Sequence, residues 1–293
     1  MPPAASVILC VRNGADTIVQ QLDSLASQRV EAPWELLVVD NASTDATPTV
    51  VQRWLAHASI DGRVVDGEHA RNLADARNVG AAAARGRVLC FCDADDEADP
   101  GWLAGLLDAA AASGLVGGAL DVARLNSAAT LRWQARVRPD MTRGLQTLPD
   151  GTPFPIGANM AVAADLYAEL GGCDPGLPAW EEIDLAFRAS RLGHPASFAP
   201  LATMHYRLRP SVRSSLGQVR HYARGEVAFR RRHPTALAPV RPRREARLAL
   251  RDVRGALRER PSGLKTIAAI LAAKLSYRAW LCWETAGRSR SGS

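Results

Sequence analysis

The chain predicts an α/β fold: a mostly parallel sheet with helices on both faces, followed by a helical C-terminal appendage. Three observations carry this expectation. Short apolar runs alternate with stretches of helical spacing over about the first 115 residues, in the order strand, helix, strand, helix. Two of those runs, Glu35 to Val39 and Val88 to Cys92, stop abruptly at an acid, Asp40 and Asp93. Beyond Arg207 the alternation gives way to arginine-rich helical segments.

Each element has its own signal. Ser6 to Val11 reads as a buried strand, broken by Arg12-Asn13-Gly14. Ile18, Leu22 and Leu25 mark a helix between Asp16 and Ser27, and Glu35 to Val39 is the second strand. Thr47-Pro48 opens a second helix, with proline near the first helical position. Arg63 to Val65 is a weak strand, and Ala74 to Ala84 an alanine-rich helix with Gly86 as its stop. The fourth strand ends at Asp93-Ala-Asp-Asp96, and Asp99-Pro100 reads as cap and first residue of a helix over Gly101 to Ala112. Leu115 to Val122 is a further strand. Residues 124 to 153 read as an irregular loop, mobile or facing an acceptor. Phe154 to Val162 is a strand, Ala163 to Leu170 a short helix, Glu181 to Leu192 a helix, and Ala196 to Met204 a strand ending at His205. Helices follow at Val212 to Arg232, Arg244 to Glu259 and from Leu264 to about Trp283. The expected division is a strand–helix domain over 1–206, with halves of about 1–115 and 116–206, then a basic helical extension over 207–285 and a disordered tail over 286–293.

With 47% hydrophobic residues the chain can bury a normal core. Five cysteines are an odd number, and Cys90 and Cys92 flank Phe91 on one strand, so buried thiols are expected rather than disulfides or a zinc site. This points to a reducing, cytoplasmic setting. Neither a signal peptide nor a membrane span is expected from the hydropathy pattern. From His205 to Arg260 there are 16 Arg against four acids, so an acidic front is followed by a basic back.

Clustered carboxylates at a strand end repel one another unless something positive lies between them. Their hard oxygens suit Mg²⁺ or Mn²⁺, bound together with substrate phosphates. In open α/β sheets ligands bind at such carboxyl ends, so Asn13, Asp40 and Asp93 are expected to converge on one crevice. Neither G-x-G-x-x-G nor G-x-x-x-x-G-K-[ST] occurs, which excludes the usual dinucleotide and phosphate-loop sites.

Val38-Val-Asp-Asn-Ala-Ser-Thr-Asp45, Ala76-Arg-Asn-Val-Gly80 and Asp93-Ala-Asp-Asp96 occur in this order, followed by Gly157-Ala-Asn-Met160, Gly171-Gly-Cys-Asp174 and Glu181-Glu-Ile-Asp-Leu185. Over about residues 5 to 206 the chain resembles a family 2 glycosyltransferase of the GT-A fold. The resemblance implies an inverting enzyme that uses a sugar-nucleotide donor and a divalent metal, Mn²⁺ or Mg²⁺. It matches Asp40 and Asn41 to the pair that reads base and ribose. The family often has Asp-Asp there, so Asn41 leaves uracil, thymine or guanine open. Arg77 and Asn78 match positions near the nucleotide. Asp93 matches a contact to ribose or donor sugar and Asp95 a metal ligand, with Asp96 assisting or capping and His205 completing the metal site or touching the diphosphate. Arg207 and Arg209 would close over phosphates. Gly157 and Asn159 match an acceptor-side turn.

Inversion by direct displacement needs a base on the acceptor hydroxyl. The family's acidic pair, usually Glu-Asp, corresponds to Glu181-Glu182, which puts Glu182 at the base position with Asp184 as the fallback. Trp180 beside the pair either stacks on a sugar or packs. The acceptor expected is a glycan, a lipid-linked or a small-molecule hydroxyl. Two rivals remain: a sugar-nucleotide pyrophosphorylase, for which Arg12-Asn13-Gly14 is too sparse, and a non-catalytic sugar-nucleotide or glycan binder. For the basic tail the readings are a packed appendage or a peripheral contact with anionic lipid at the inner face of the membrane. Nucleic acid is not expected, since no supporting motif accompanies the charge.

Overall fold

The computed structural model describes residues 2–134, 142–258 and 264–289. The elements in chain order are β1 (Ala5–Val11), α1 (Ile18–Ala26), β2 (Trp34–Asp40), α2 (Thr47–Leu55), β3 (Asp61–Asp66), α3 (Leu73–Ala83), β4 (Val88–Asp93), β5 (Glu97–Ala98), α4 (Trp102–Ala112) and β6 (Leu115–Asp121). They continue with α5 (Ala128–Gln134), β7 (Gln146–Thr147), β8 (Pro153–Phe154), β9 (Asn159–Ala163), α6 (Ala164–Glu169), α7 (Glu181–Arg191), β10 (Ser197–His205), α8 (Val212–Arg232), α9 (Pro242–Arg258) and α10 (Leu264–Ser289).

Eight strands form one sheet in the order β3-β2-β1-β4-β9-β6-β10-β5. β1 pairs in parallel with β2 and β4, β2 with β3, and β6 with β10. β9 runs antiparallel to both β4 and β6, and β5 antiparallel to β10. The expected mostly parallel sheet is therefore present, with a reversed strand between its two parallel parts. The central strands are mostly apolar on both faces, as in a sheet covered on both sides, with Ser6 and Glu35 as buried polar exceptions. Ile8, Leu9, Leu36, Leu37, Phe91 and Trp102 are fully buried.

Several local expectations are corrected. Phe154 to Val162 is not one strand but β8 and β9, separated by a turn. The stretch 124 to 153 contains α5 and β7. Gly101 caps α4, and Asp99 instead accepts the Gly101 amide at 3.1 Å. Gly86 lies beyond the end of α3, where a Cβ would stand 2.4 Å from the backbone of Ala5 and Ser6, so close chain approach is what requires glycine there. α10 continues through Ser289, past the expected start of a tail at 286, and residues 290–293 of that expectation lie outside the described residues.

The chain divides into two compact units. The first comprises Met1–Arg124, Met141–Pro175 and Glu181–Arg207, and the second Leu125–Asp140, Gly176–Trp180 and Leu208–Ser293. The second unit thus draws two pieces from within the stretch 1–206. Inside it α10 packs along α8 and α9, and Trp133, Ile270 and Val212 form an apolar cluster. Among the described residues no helix is long and apolar enough to cross a membrane. All five cysteines are free thiols.

Within the first unit Glu35 is a buried carboxylate on β2. Ser6 Oγ donates to it at 2.7 Å, Arg63 Nη1 at 2.5 Å and Arg85 Nε at 2.9 Å. Burial alone would raise its pKa; the hydrogen bonds from Ser6, Arg85 and Arg63 outweigh burial and hold it at about 2. Glu35→Gln is expected to lower the unfolding free energy at neutral pH by about 2–3 kcal/mol. A depressed pKa stabilises the fold only where the carboxyl is ionised. The gap between parent and variant should therefore be complete above the ordinary value of 4.5 and close as pH falls toward 2, which urea denaturation at stepped pH would read.

Candidate active site

The register brings three strand ends together. Cys10 of β1 stands beside Asp93 of β4, and Val11 beside Asp40 of β2. Asn13, which follows β1, has φ +55, and its Oδ1 accepts the Thr44 amide at 2.7 Å, while its own amide donates to Ser43 Oγ at 2.9 Å. Asn13 thus ties the β1 turn to the β2 turn, which occupies its side-chain oxygen. Asp40 Oδ1 accepts the Ser43 amide at 3.2 Å. Asn41 donates its amide to Val11 O at 2.8 Å, yet its side-chain Oδ1 is buried with no hydrogen-bond partner. A buried acceptor without a donor is destabilising until something supplies one.

After β4, oxygens of Asp93, Asp95 and Asp96 all lie within 4.8 Å of one another. Asp96 is fully buried: its Oδ1 accepts the Arg207 amide at 2.7 Å and its Oδ2 has no partner. Burial first, and then the charges of Asp93 and Asp95, push its pKa well above the usual carboxylate range. Asp96 is the residue the sequence undervalued, although it is the third acid of the same run. A cation seated among these oxygens would satisfy the orphaned atom and remove the repulsion, so the donor set fits a hard divalent ion.

Arg77 projects from α3 into the same region and is buried, so it is not a helix-surface charge. Its Nη1 donates to Glu181 Oε1 at 2.6 Å and its Nη2 stands 3.8 Å from Asp93 Oδ1. Gly157 makes room for it, since a Cβ there would lie 2.3 Å from Arg77 Nη2. Glu182 is half-buried at the start of α7. Burial, and after it the Glu181 charge, raise its pKa to about 8 against the lowering influence of Arg77.

Other expected site residues are committed elsewhere. Glu181 is buried against Arg77 rather than open to an acceptor. Gly157 leaves room for the Arg77 guanidinium. Asn78 accepts from Tyr167 Oη at 2.7 Å and the Cys173 amide at 2.9 Å and donates to Cys173 O at 2.8 Å, which uses its amide to brace the Gly171-Gly172 turn. Asp184 is buried and bound by Arg188 Nε at 2.7 Å, and Arg188 also donates to Leu170 O and Gly172 O. Asn159 is buried on β9: its Nδ2 donates to Ala119 O and Ala202 O, and its Oδ1 accepts from Trp102 Nε1. It ties three chain segments together. His205 is outside the aspartate group; its Nδ1 is 2.8 Å from Asp121 Oδ2, and its buried Nε2 is 3.9 Å from Asp99 Oδ2. Arg207 Nε donates to Asp95 O and Nη2 to Gln20 Oε1, so its guanidinium supports the acid loop. Trp180 falls in the second unit, with φ +73 and its ring 5.6 Å from Phe229.

This arrangement coincides with a known family. The model described as Glycosyl transferase family 2 matches residues 6–171, more than half of the chain, and the chain belongs to that family, with the GT-A fold. It is 27% identical over 248 residues to the pre-mycofactocin glycosyltransferase of Mycobacterium tuberculosis, covering 80% of this chain and 49% of that protein. It is 36% identical over 113 residues to the succinoglycan biosynthesis protein ExoO of Rhizobium meliloti, covering 38% and 31%. The chain therefore spans about half the length, or less, of these two relatives. Among solved structures it is similar to a mannosyltransferase of Pyrobaculum calidifontis in complex with GDP-Man and Mn²⁺, at TM-score 0.65 and 22% identity over 100% of this chain and 89% of that one. It is also similar to TarS of S. aureus in complex with UDP-GlcNAc, at TM-score 0.56 and 16% identity over 97% and 92%.

The bracing role of Asp184 has a direct test. Asp184→Asn breaks a buried ion pair and is expected to destabilise the fold by about 3 kcal/mol while leaving nucleotide affinity unchanged. Thermal melting and nucleotide titration of the same sample read the two effects separately.

Proposed function

We propose that the chain is an inverting, metal-dependent glycosyltransferase, moving one sugar from a nucleoside-diphosphate donor to a hydroxyl of a glycan, lipid-linked or small-molecule acceptor in a cytoplasmic setting. The observation that carries this reading is the pairing of two differently tuned acid sites: three clustered carboxylates with a buried orphaned oxygen, and a separate glutamate held near pKa 8. The donors named for the Pyrobaculum and S. aureus proteins, GDP-Man and UDP-GlcNAc, are both of this class, and the former protein binds Mn²⁺.

In this reading Asp40 and the orphaned Oδ1 of Asn41 hold the nucleoside, the latter accepting a ring N–H of uracil, thymine or guanine. Asp95, Asp93 and Asp96 would hold Mn²⁺ or Mg²⁺, which neutralises charge on the departing diphosphate when bound. Arg77 fixes Asp93 and Glu181 in place. Glu182 takes the proton from the acceptor hydroxyl as its oxygen bonds to the anomeric carbon and the bond to the nucleoside diphosphate breaks, on the opposite face of the sugar. Glu181 is engaged by Arg77, so the base role falls to Glu182.

Two outcomes follow. The melting temperature should rise with one of UDP, dTDP or GDP only when Mn²⁺ is present, and Asp95→Ala should abolish that shift; folded protein that responds to none of them would speak for a nucleotide-independent role. Glu182 acts as a base only when ionised, and its pKa is raised to about 8. Hence kcat/KM should climb with pH through that value, and Glu182→Gln should reduce kcat by about 10²–10⁴-fold and remove the rising limb while nucleotide binding persists.

A further inference from the structure

We propose that the exposed face of α9 is a docking surface for an anionic lipid bilayer. The inference concerns the second unit alone and does not rest on the glycosyl-transfer reading. Arg243, Arg247, Leu250 and Arg254 recur at steps of four, three and four along α9, which places them on one side of the helix. All four are exposed, as are Arg241, Arg244 and Arg251. The acids of α9 turn the other way. Glu245 is buried, with Arg278 Nη1 of α10 at 2.7 Å from its Oε2. Asp252 is half-buried and 3.5 Å from Arg278 Nη2. A cation from α10 thus neutralises the inner side of α9, and the outer side is left almost purely cationic.

Arg241, Arg243, Arg244 and Arg247, with Pro242, line an open depression at the start of α9. Guanidinium forks match phosphate oxygens two at a time. An apolar side chain interrupts the charge: Leu250 is 51% exposed in the middle of the α9 face. A bare polyanion gives Leu250 nothing to enter. A bilayer interface takes it, with phosphates at the arginines and the leucine among the upper acyl carbons. That combination selects a lipid surface over a nucleic acid.

The test is co-sedimentation of the full chain with vesicles of pure phosphatidylcholine and of phosphatidylcholine containing about 30% phosphatidylglycerol. Binding is expected to the second only and to weaken as salt rises. Each of Arg243→Gln, Arg247→Gln and Arg254→Gln should reduce partitioning roughly fivefold, and the triple variant about a hundredfold, with an unchanged circular dichroism spectrum. Leu250→Ser should weaken binding without altering its salt dependence. Equal sedimentation with both vesicle types, or undiminished binding by the triple variant, would overturn the proposal. So would tight binding of a single-stranded oligonucleotide by a chain that ignores the vesicles.

Discussion

The buried guanidinium of Arg77 is the constraint on which the site depends. Removing such a charge from water costs several kcal/mol, repaid only by well-placed partners. The partners come from distant parts of the chain: Glu181 Oε1 at 2.6 Å and Asp93 Oδ1 at 3.8 Å. A glycine at 157 supplies the space. One side chain on α3 thereby fixes the end of β4, the turn before β9 and the start of α7 relative to one another. It also separates two adjacent glutamates. Glu181 takes the short contact to Arg77, whereas burial and the neighbouring charge of Glu181 dominate at Glu182 and hold its proton to about pH 8. Chemically identical residues one position apart thus have different surroundings, set by where the cation points.

The aspartate run follows the opposite logic. Arg207 lies against it, but its Nε goes to the backbone oxygen of Asp95 and its Nη2 to Gln20. Only its backbone amide reaches a carboxylate, at Asp96 Oδ1. The arginine therefore shapes the loop without binding the orphaned Oδ2 of Asp96, and burial with two flanking acids keeps that carboxyl hard to ionise. Arg77 is balanced within the chain, whereas Asp96 keeps a buried carboxyl oxygen without a hydrogen-bond partner. This contrast is what the proposal of a cation and diphosphate at the strand end, and of proton transfer at the helix start, draws on.

Much of this was legible in the sequence, for physical reasons that vary by residue. Asp40 and Asp93 announce themselves because a buried strand has to be apolar and its exit does not, so an acid directly after such a run marks the carboxyl edge of a parallel sheet. The start of α7 at Glu181 was readable from acids that favour a helix N-terminus. Asn78, Asp184 and Asn159 are expected at the site as polar residues inside motifs, and each also has hydrogen-bond partners within the chain. Arg188 stands four residues from Asp184, a helical pairing that the spacing itself offers, but Tyr167 and Cys173, and Trp102 with Ala119 and Ala202, lie far from Asn78 and Asn159 in sequence and no local pattern encodes them. The reversal of β9 was hidden for a related reason: side-chain periodicity is the same for a strand running either way. Asp96 was undervalued because a third acid in a turn looks like a cap until its burial is known.

The arginines of the C-terminal region make the same point about charge. Counted in the sequence they form one basic block, but they are two populations. Arg224 pairs with Glu284 at 2.7 Å, Arg230 binds Glu226, which also accepts from Tyr277, and Arg220 lies 4.4 Å over the ring of Trp280. Arg224 and Arg220 reach from α8 to α10, and Arg230 pairs within α8 with an acid that also binds Tyr277 of α10. Of the exposed arginines of α9, Arg251 stands 3.5 Å from Asp252, whereas Glu245 and Asp252 both lie toward Arg278 of α10 and away from Arg243, Arg247 and Arg254. A helix whose acids are all drawn inward by a neighbouring cation carries a surface far more positive than its composition implies. The field it presents to solvent is therefore set by the direction in which its acids point, a property of the packed helices rather than of the net charge.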